Sequence, residues 1–340
     1  MRSTPRKRAF VIVLAIAVLL SALALALYLR AKAPPEAARL LPESDAIVFF
    51  QLKTLRSATH FDQTPITHSA DFAKFIAATG IEPERDINTA AFALHRMADP
   101  NGPNGPVAYS EVFTGSFDGA KLDSYLQSIA TAHESYADHT IYAVPVEGRT
   151  LRVTQLGYDT VAASNMPTTE QIHSILDRWR ASALNTPGSS LLARRYGDVP
   201  LLSQAWGIGR IGLPFAQNGH IALFGLELPM SEDTELVASL RYTGTVRLRV
   251  EEFAGSSEDA HHTIDAATTL LNIVRSLASA GPSNTNAANA IRSILDTTKL
   301  NQQGARAILT ANASLDEIKA LSATSTTDFS STPQPSPASK

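Results

Sequence analysis

The hydrophobic pattern of this chain opens with one long apolar run at residues 9–29, which carries no charged side chain. At about 1.5 Å per residue, a helix over this run would extend roughly 30 Å, the thickness of a bilayer's hydrocarbon core. Thirteen of its side chains are Leu, Ile, Val or Phe, and their insertion free energies sum to about −5 kcal/mol. The run therefore predicts a transmembrane helix, with the lipid bilayer as a partner of residues 9–29.

After this run, short apolar strands alternate with amphipathic helices. In the first half, strands are predicted at residues 45–52, 89–95, 107–117, 140–146, 150–155 and 160–164, and helices at 69–79, 121–130 and 168–183. Thr168 and Gln171 form a capping-box pattern at the start of the last helix. Short hairpin-like connections, such as Glu147-Gly148, indicate a largely antiparallel sheet.

The second half repeats this mixture of elements. Strands are predicted at residues 201–211, 220–228, 236–242, 245–252 and 306–310, and helices at 258–278 and 288–295. Ser314 and Glu317 predict a cap for a last short helix. Within residues 245–252, Val246, Leu248 and Val250 alternate with Arg247, Arg249 and Glu251, which predicts one buried face and one solvated face.

Together these elements predict an α+β fold with two domains, each a mainly antiparallel sheet covered by helices, preceded by one N-terminal transmembrane helix. The predicted boundaries are a cytoplasmic basic tail at 1–8, the transmembrane helix at 9–29, a linker at 30–42, domains at 43–185 and 190–323, and a disordered Ser/Thr/Pro-rich tail at 324–340. Three strand-to-helix connections share a Ser or Thr cap, which fits either a duplication or ordinary capping.

The charges beside the apolar run predict its orientation. Arg2, Arg6, Lys7 and Arg8 precede it, whereas basic residues follow it at lower density. By the positive-inside rule, the chain is predicted to be a single-pass protein of the inner membrane, with its N-terminus in the cytoplasm and its body periplasmic or extracellular. The alternative is a signal peptide cleaved after Ala31-Lys32-Ala33, but the run is longer than the ~7–15 residues of a signal-peptide core.

Composition excludes several classes of function. The formal net charge is −3, and the chain after its basic tail carries −7, so nucleic acid is not expected as a partner. The chain contains no cysteine, which excludes disulfides, thiolate metal sites and thiol nucleophiles. The oligomeric state is not determined by the sequence.

Four short motifs resemble functional signatures, and each is better explained by ordinary structure. The glycines of residues 207–212 match a dinucleotide fingerprint, yet Leu213-Pro214 follows where a helix should begin, so a glycine-rich strand and turn is predicted. His133-Glu134 lacks the second histidine of a zinc-protease motif and is predicted to lie in a loop. His261-His262 is predicted to be a surface pair, and residues 99–102 a turn. No catalytic, cofactor-binding or metal-binding residue is predicted.

The chain resembles uncharacterised bacterial single-span, membrane-anchored envelope proteins. The resemblance rests on the basic N-terminus, the span, LLPESDAIVFFQL, LRYTGTVRLRVEEFAGSSEDAHHTI and GARAILTANASLDEIKAL, and it implies no activity or cofactor. The first hypothesis is a non-catalytic binding or scaffold module whose partner is an envelope protein or another envelope component. The alternative is an extracytoplasmic, hydrolase-like enzyme whose site is assembled only in the fold, with His95 and His139 as its sequence support.

Overall fold

The structure is a computed structural model that describes residues 20–21, 32–63, 68–102, 105–182, 188–210, 216–217, 220–223, 226–229, 234–280 and 285–328. The predicted basic tail, most of the predicted transmembrane helix and residues 329–340 lie outside this part of the chain. Within the described ranges, none of the helices combines the length and apolar character needed to cross a bilayer.

Twelve strands form one antiparallel sheet. They are β1 (Ala46–Phe50), β2 (Ile87–Arg96), β3 (Val107–Gly115), β4 (Ala132–Tyr136), β5 (His139–Val146), β6 (Arg149–Gln155), β7 (Thr160–Ser164), β8 (Ala205–Arg210), β12 (Glu235–Tyr242), β13 (Val246–Phe253), β14 (Lys299–Gln303) and β15 (Arg306–Ala313). The short strands β9 (Ala216–Gln217), β10 (His220–Leu223) and β11 (Leu226–Pro229) form a separate sheet.

The order across the large sheet is β14-β15-β13-β12-β8-β1-β2-β3-β7-β6-β5-β4. Strand β1 pairs with β2 on one side and with β8 on the other. The hydrogen-bonded ladder therefore continues from the first predicted domain into the second. The proposed boundary at 185–190 stays a prediction, and residues 183–187 lie outside the described ranges.

Ten helices accompany the sheet in the described ranges. They are α1 (Glu36–Leu40), α2 (Leu52–Thr59), α3 (Ala70–Thr79), α4 (Pro83–Asp86), α5 (Gly119–Ile129), α6 (Glu170–Ala181), α7 (Ser190–Arg195), α8 (Ser257–Ala280), α9 (Asn286–Thr297) and α10 (Leu315–Asp328). Gly80 ends α3 with φ +73°, a left-handed conformation that costs glycine little. Ser314 and Glu317 exchange hydrogen bonds at the start of α10, as the predicted capping box requires.

The main core lies between one face of the central strands and helices α1, α6 and α7. Its fully buried members include Leu41, Ile47, Ile172, Ile175 and Leu176. A second cluster, with Leu122 and Leu126 of α5, covers the opposite face of β5, β6 and β7. In the second half, helices α8 and α9 pack on β14 and β15. The central strands are thus covered on both faces by helices or by the second cluster.

The α+β class and the antiparallel sheet confirm the coarse prediction, and several details are wrong. The predicted capping box of Thr168 and Gln171 is wrong, because the residue before α6 is Thr169, whose backbone is helical (φ −84°, ψ −6°) and whose side chain makes no cap hydrogen bond. The predicted strand at 220–228 is two strands, β10 and β11. Helix α10 continues to Asp328, inside the segment predicted to be disordered from residue 324.

Candidate functional site

The candidate site lies on one face of strands β12, β13 and β15. Because strand side chains alternate between faces, Arg247, Arg249 and Glu251 share one face of β13, and Glu252 points to the other. Thr263 of α8 donates a hydrogen bond to Glu252 (3.2 Å). Helix α8 therefore covers the face opposite the arginines. On the arginine side Arg247 is exposed, whereas Ser239 and Glu251 are buried.

A depression of about 300 Å³ lies on the arginine side. Its lining, which we call the arginine cavity, consists of Asp198, Pro200, Ser239, Arg241, Arg247, Arg249 and Thr310. The strand register explains why these side chains meet. Arg241 is directly opposite Arg247, and Arg249 lies between Ser239 and Thr310. Three guanidinium groups and two hydroxyl groups thus surround one cavity.

Carboxylates pair with Arg249 of the cavity and with Arg195 and Arg306 beside it. The Glu251 side chain is 4% exposed and accepts hydrogen bonds from Arg249 (2.7 Å) and Arg306 (2.8 Å). Asp198 lies 3.4 Å from Arg306 and 3.7 Å from Arg195. Glu235 binds Arg194 and Arg195; burial raises its pKa, but these hydrogen bonds outweigh burial and lower the pKa overall.

Arg241 and Arg247 differ from these paired arginines. In the part of the chain that the structure describes, neither forms an ion pair with a carboxylate, and the buried Nε of Arg241 has no hydrogen-bond partner. Like charges directly opposite on neighbouring strands are destabilising, and a buried donor without a partner is costly. Guanidinium groups are always charged and match carboxylate or phosphate oxygens in pairs. The cavity can therefore bind an anion.

A larger cleft of about 600 Å³ adjoins the arginine cavity, and the two share Asp198 and Pro200. We call it the linker cleft, because residues 32, 33 and 35 of the predicted linker line it. Its floor is aromatic: Trp206 stacks on Phe49 with ring centroids 5.3 Å apart and meets Tyr196 edge-on at 5.3 Å. Its rim includes Leu201 and Leu202, which are 38% and 71% exposed.

His95, one of the two histidines behind the enzyme hypothesis, lies next to a serine. Its Nε2 is 3.1 Å from Ser110 Oγ, which is 3.0 Å from Ser164 Oγ. His95 is 6% exposed and Ser110 is fully buried. Burial lowers the pKa of His95, although the nearby Asp45 charge opposes this effect. The group is enclosed, so no substrate could reach Ser110 without separation of the packed elements, and it is explained as a satisfied polar network within the core.

His139 lies elsewhere, on β5, four positions from β2 in the sheet order, which is about 19 Å at the usual strand spacing. Its Nδ1 is 2.9 Å from the Gln155 carbonyl oxygen, and it lines a hollow with Asp123 and Tyr142. A hydrogen bond to Asp123 (2.7 Å) is the main cause that raises the pKa of Tyr142 to about 12. The fold therefore does not bring His95 and His139 together.

The other sequence motifs have structural explanations. Residues 207–210 belong to β8, so the predicted glycine-rich strand is confirmed, and the predicted turn after it lies outside the described residues. Gly209 has φ +139°, and a Cβ there would lie 2.4 Å from Ala46 Cα. The predicted loop at His133-Glu134 is wrong, since both lie in β4 and Glu134 binds His173. His261 and His262 are exposed on α8, as predicted. No group of three or more His, Asp or Glu side chains in the described residues is placed to hold a metal ion.

Sequence reasoning missed the arginine cavity. The alternation in β13 predicts that Arg247, Arg249 and Glu251 lie on a solvated face. The structure instead buries Glu251, because Arg249 and Arg306 pair with it, and leaves Leu248 of the apolar face 38% exposed. The signal was the density of arginine on both strands of the β12–β13 hairpin, Arg241 before the turn and Arg247 and Arg249 after it. Period-two alternation places Arg247 and Arg249 on one face of β13, and the pairing of Arg241 with Arg247 places Arg241 on the same face.

Comparisons with known proteins give limited similarity. A scan against protein-family models finds no match, and neither does a search of curated proteins. Solved structures that are similar include three crystal forms of TP0453. Form III has a TM-score of 0.46 at 12% identity, covering 86% of this chain and 99% of that one. Form I has a TM-score of 0.42 at 13% identity, covering 86% of this chain and 98% of that one. Form IV has a TM-score of 0.43 at 14% identity, covering 85% of this chain and 97% of that one.

Proposed function

We propose that this protein is a non-catalytic binding module, tethered to the inner membrane by residues 9–29 with its body outside the cytoplasm, and that it binds an anionic group of an envelope component. The observation that carries the proposal is the arginine cavity, where Arg241, Arg247 and Arg249 line one depression and the first two have no carboxylate partner among the described residues. A phosphate or carboxylate group would supply the missing counter-charge.

Binding is favoured over catalysis by the chemistry of this site. The cavity presents guanidinium and hydroxyl donors, and its one acid, Asp198, is held by Arg306 and Arg195. Guanidinium groups do not exchange protons near neutral pH, so they hold anions rather than act as general acids or bases. The serine and histidine that do lie together, Ser110 and His95, are enclosed.

Calorimetric titration of the full chain in a neutral detergent, with inorganic phosphate as the probe, tests the anion site. Charge-assisted hydrogen bonds at about 1.5–2 kcal/mol for each of Arg241 and Arg247, the two arginines without a carboxylate partner among the described residues, predict a Kd of roughly a few millimolar. The triple variant Arg241→Gln/Arg247→Gln/Arg249→Gln should lose the binding heat. The matched control is Lys74→Gln/Lys121→Gln, because both lysines are exposed on α3 and α5. Equal binding by the triple variant and the wild type would refute the site.

The location of the body is tested separately. A reporter enzyme that folds only outside the cytosol, fused after Lys340, should show activity. The protein should also stay with the membrane fraction at high pH. Activity of a cytosol-only reporter, or release at high pH, would refute the anchored orientation. N-terminal sequencing of the membrane-extracted protein completes the test, because a chain beginning near Pro34 would mean that the apolar run is a cleaved signal peptide.

A further inference from the structure

The arginine cavity lies close to the predicted membrane anchor. It shares Asp198 and Pro200 with the linker cleft, which Lys32, Ala33 and Pro35 line. Lys32 follows the end of the apolar run at Leu29 by three residues, and three fully extended residues span at most about 10 Å. If the run crosses the bilayer, the side of the linker cleft lined by Lys32 must therefore lie within about 10 Å of the end of the membrane span.

An apolar tip projects at the same place. Leu201 and Leu202 are 38% and 71% exposed on the rim of the linker cleft. The tip is held in shape by a turn in which the Ser203 hydroxyl donates to the Pro200 carbonyl oxygen (2.7 Å), and Leu202 has φ +65°. Exposed leucines are common singly. Two in sequence, held outward beside a membrane linker and a cluster of arginines, form the mixed apolar and basic surface that binds at a bilayer interface.

Building on the proposed function, we propose that the anion in the arginine cavity is the headgroup phosphate of an anionic phospholipid in the bilayer that anchors the chain, with Leu201 and Leu202 inserted beside it. Charge complementarity supports this occupant, because Arg241 and Arg247 line the cavity without a carboxylate partner among the described residues. The tether also keeps this face within reach of the leaflet, so even a weak headgroup site would be occupied.

The test places a fluorescent reporter on the apolar tip. The chain has no cysteine, so Leu202→Cys labelled with an environment-sensitive nitrobenzoxadiazole dye carries a single probe. The full chain is reconstituted into vesicles of phosphatidylcholine alone or mixed with phosphatidylglycerol. Phosphatidylglycerol should shift the emission to the blue and allow quenching by a spin-labelled lipid. The matched control is the same dye at Tyr158→Cys, on a side chain 85% exposed in the β6–β7 connection, where no lipid-dependent change is expected.

The arginines connect this response to the cavity. Each basic residue near an anionic surface changes the membrane equilibrium about fivefold, so Arg247→Gln should lower the inserted-to-free ratio about fivefold, and the triple arginine-to-glutamine variant should abolish the phosphatidylglycerol effect. Lys74→Gln/Lys121→Gln should leave it unchanged. A dye response that is equal in both vesicle types, or equal at positions 202 and 158, would overturn the membrane inference. If phosphate still binds in detergent in that case, the proposed function survives; if phosphate binding also fails, both fall.

Discussion

The opposed pair Arg241–Arg247 predicts a substitution that stabilises the fold and removes binding. The two residues are direct cross-strand partners, so their Cβ atoms are about 5 Å apart, and two charges about 6 Å apart repel by roughly 0.7 kcal/mol in water. In Arg247→Glu this repulsion becomes an attraction of similar size. Because Arg247 is exposed, solvent screening reduces this change in interaction energy. The free energy of unfolding is therefore expected to rise by about 0.5–1 kcal/mol.

Urea denaturation at low and high salt measures this effect. Arg247→Gln should give about half the gain of Arg247→Glu, and high salt should shrink both gains, since screening weakens exposed charge pairs. Phosphate binding should weaken in the glutamine variant and disappear in the glutamate variant. The repulsion between Arg241 and Arg247 lowers the free energy of unfolding, and binding sites commonly retain such destabilising residues because the residues bind the ligand. The reasoning is refuted if Arg247→Glu lowers stability at low salt, or if it binds phosphate as the wild type does.

Three further substitutions test other parts of the structure. Burial raises the pKa of the Glu111 carboxyl to about 7. The neutral carboxyl stabilises the fold relative to the charged one, so this stability is lost as pH rises from about 4.5 through 7. In urea denaturation, Glu111→Gln should raise the free energy of unfolding by up to about 3 kcal/mol at pH 8 and by little at pH 4. Gly209→Ala should lose about 2–3 kcal/mol because its Cβ would clash with Ala46. Ser110→Ala should cost about 1–2 kcal/mol by removing a partner of His95, while any activity of the protein stays unchanged.

Each of these has an outcome that would contradict it. Equal stability differences for Glu111→Gln at the two pH values would show that the carboxyl is not held neutral by burial. Gly207→Ala is the matched control for Gly209→Ala, because a Cβ at position 207 would meet nothing closer than 3.7 Å; equal losses would refute the close strand approach. Loss of an activity in Ser110→Ala without loss of stability would instead favour the hydrolase hypothesis.

Much of the local structure could be predicted because most strands are half-buried, so apolar and polar residues alternate along their sequences. The strands missed are the two-residue β9 and the strands β4 and β14, of which the latter two are the edges of the large sheet. Their sequences, AHESY and KLNQQ, are polar, as edge strands tend to be, so they lack apolar alternation. Helices α1, α2, α4 and α7 were also missed. Helix α2 contains no buried residue that would mark one face as apolar. Helix α1 lies within the predicted linker at 30–42, but its Ala37, Ala38 and Leu40 are buried in the main core, so this part of the chain is not an extended linker.

The joining of the two halves could not be predicted from local patterns. It depends on β1 pairing with β8, residues that are far apart in the sequence, such as Ala46 and Gly209. Only the backbone geometry shows that Gly209 is needed for this approach. The arginines of the cavity follow a local pattern in the β12–β13 hairpin, but Asp198 and Pro200 reach the cavity from another part of the chain, which no local pattern predicts.

The most direct test of the central claim is chemical footprinting of arginines in the full chain. Phenylglyoxal modification, mapped by mass spectrometry with and without inorganic phosphate, compares the cavity arginines with Arg180, which is exposed on α6. We predict that phosphate slows modification of Arg241 and Arg247 several-fold and leaves Arg180 unaffected. Equal modification rates at Arg241 and Arg247 with and without phosphate would contradict the claim that this cavity binds anions.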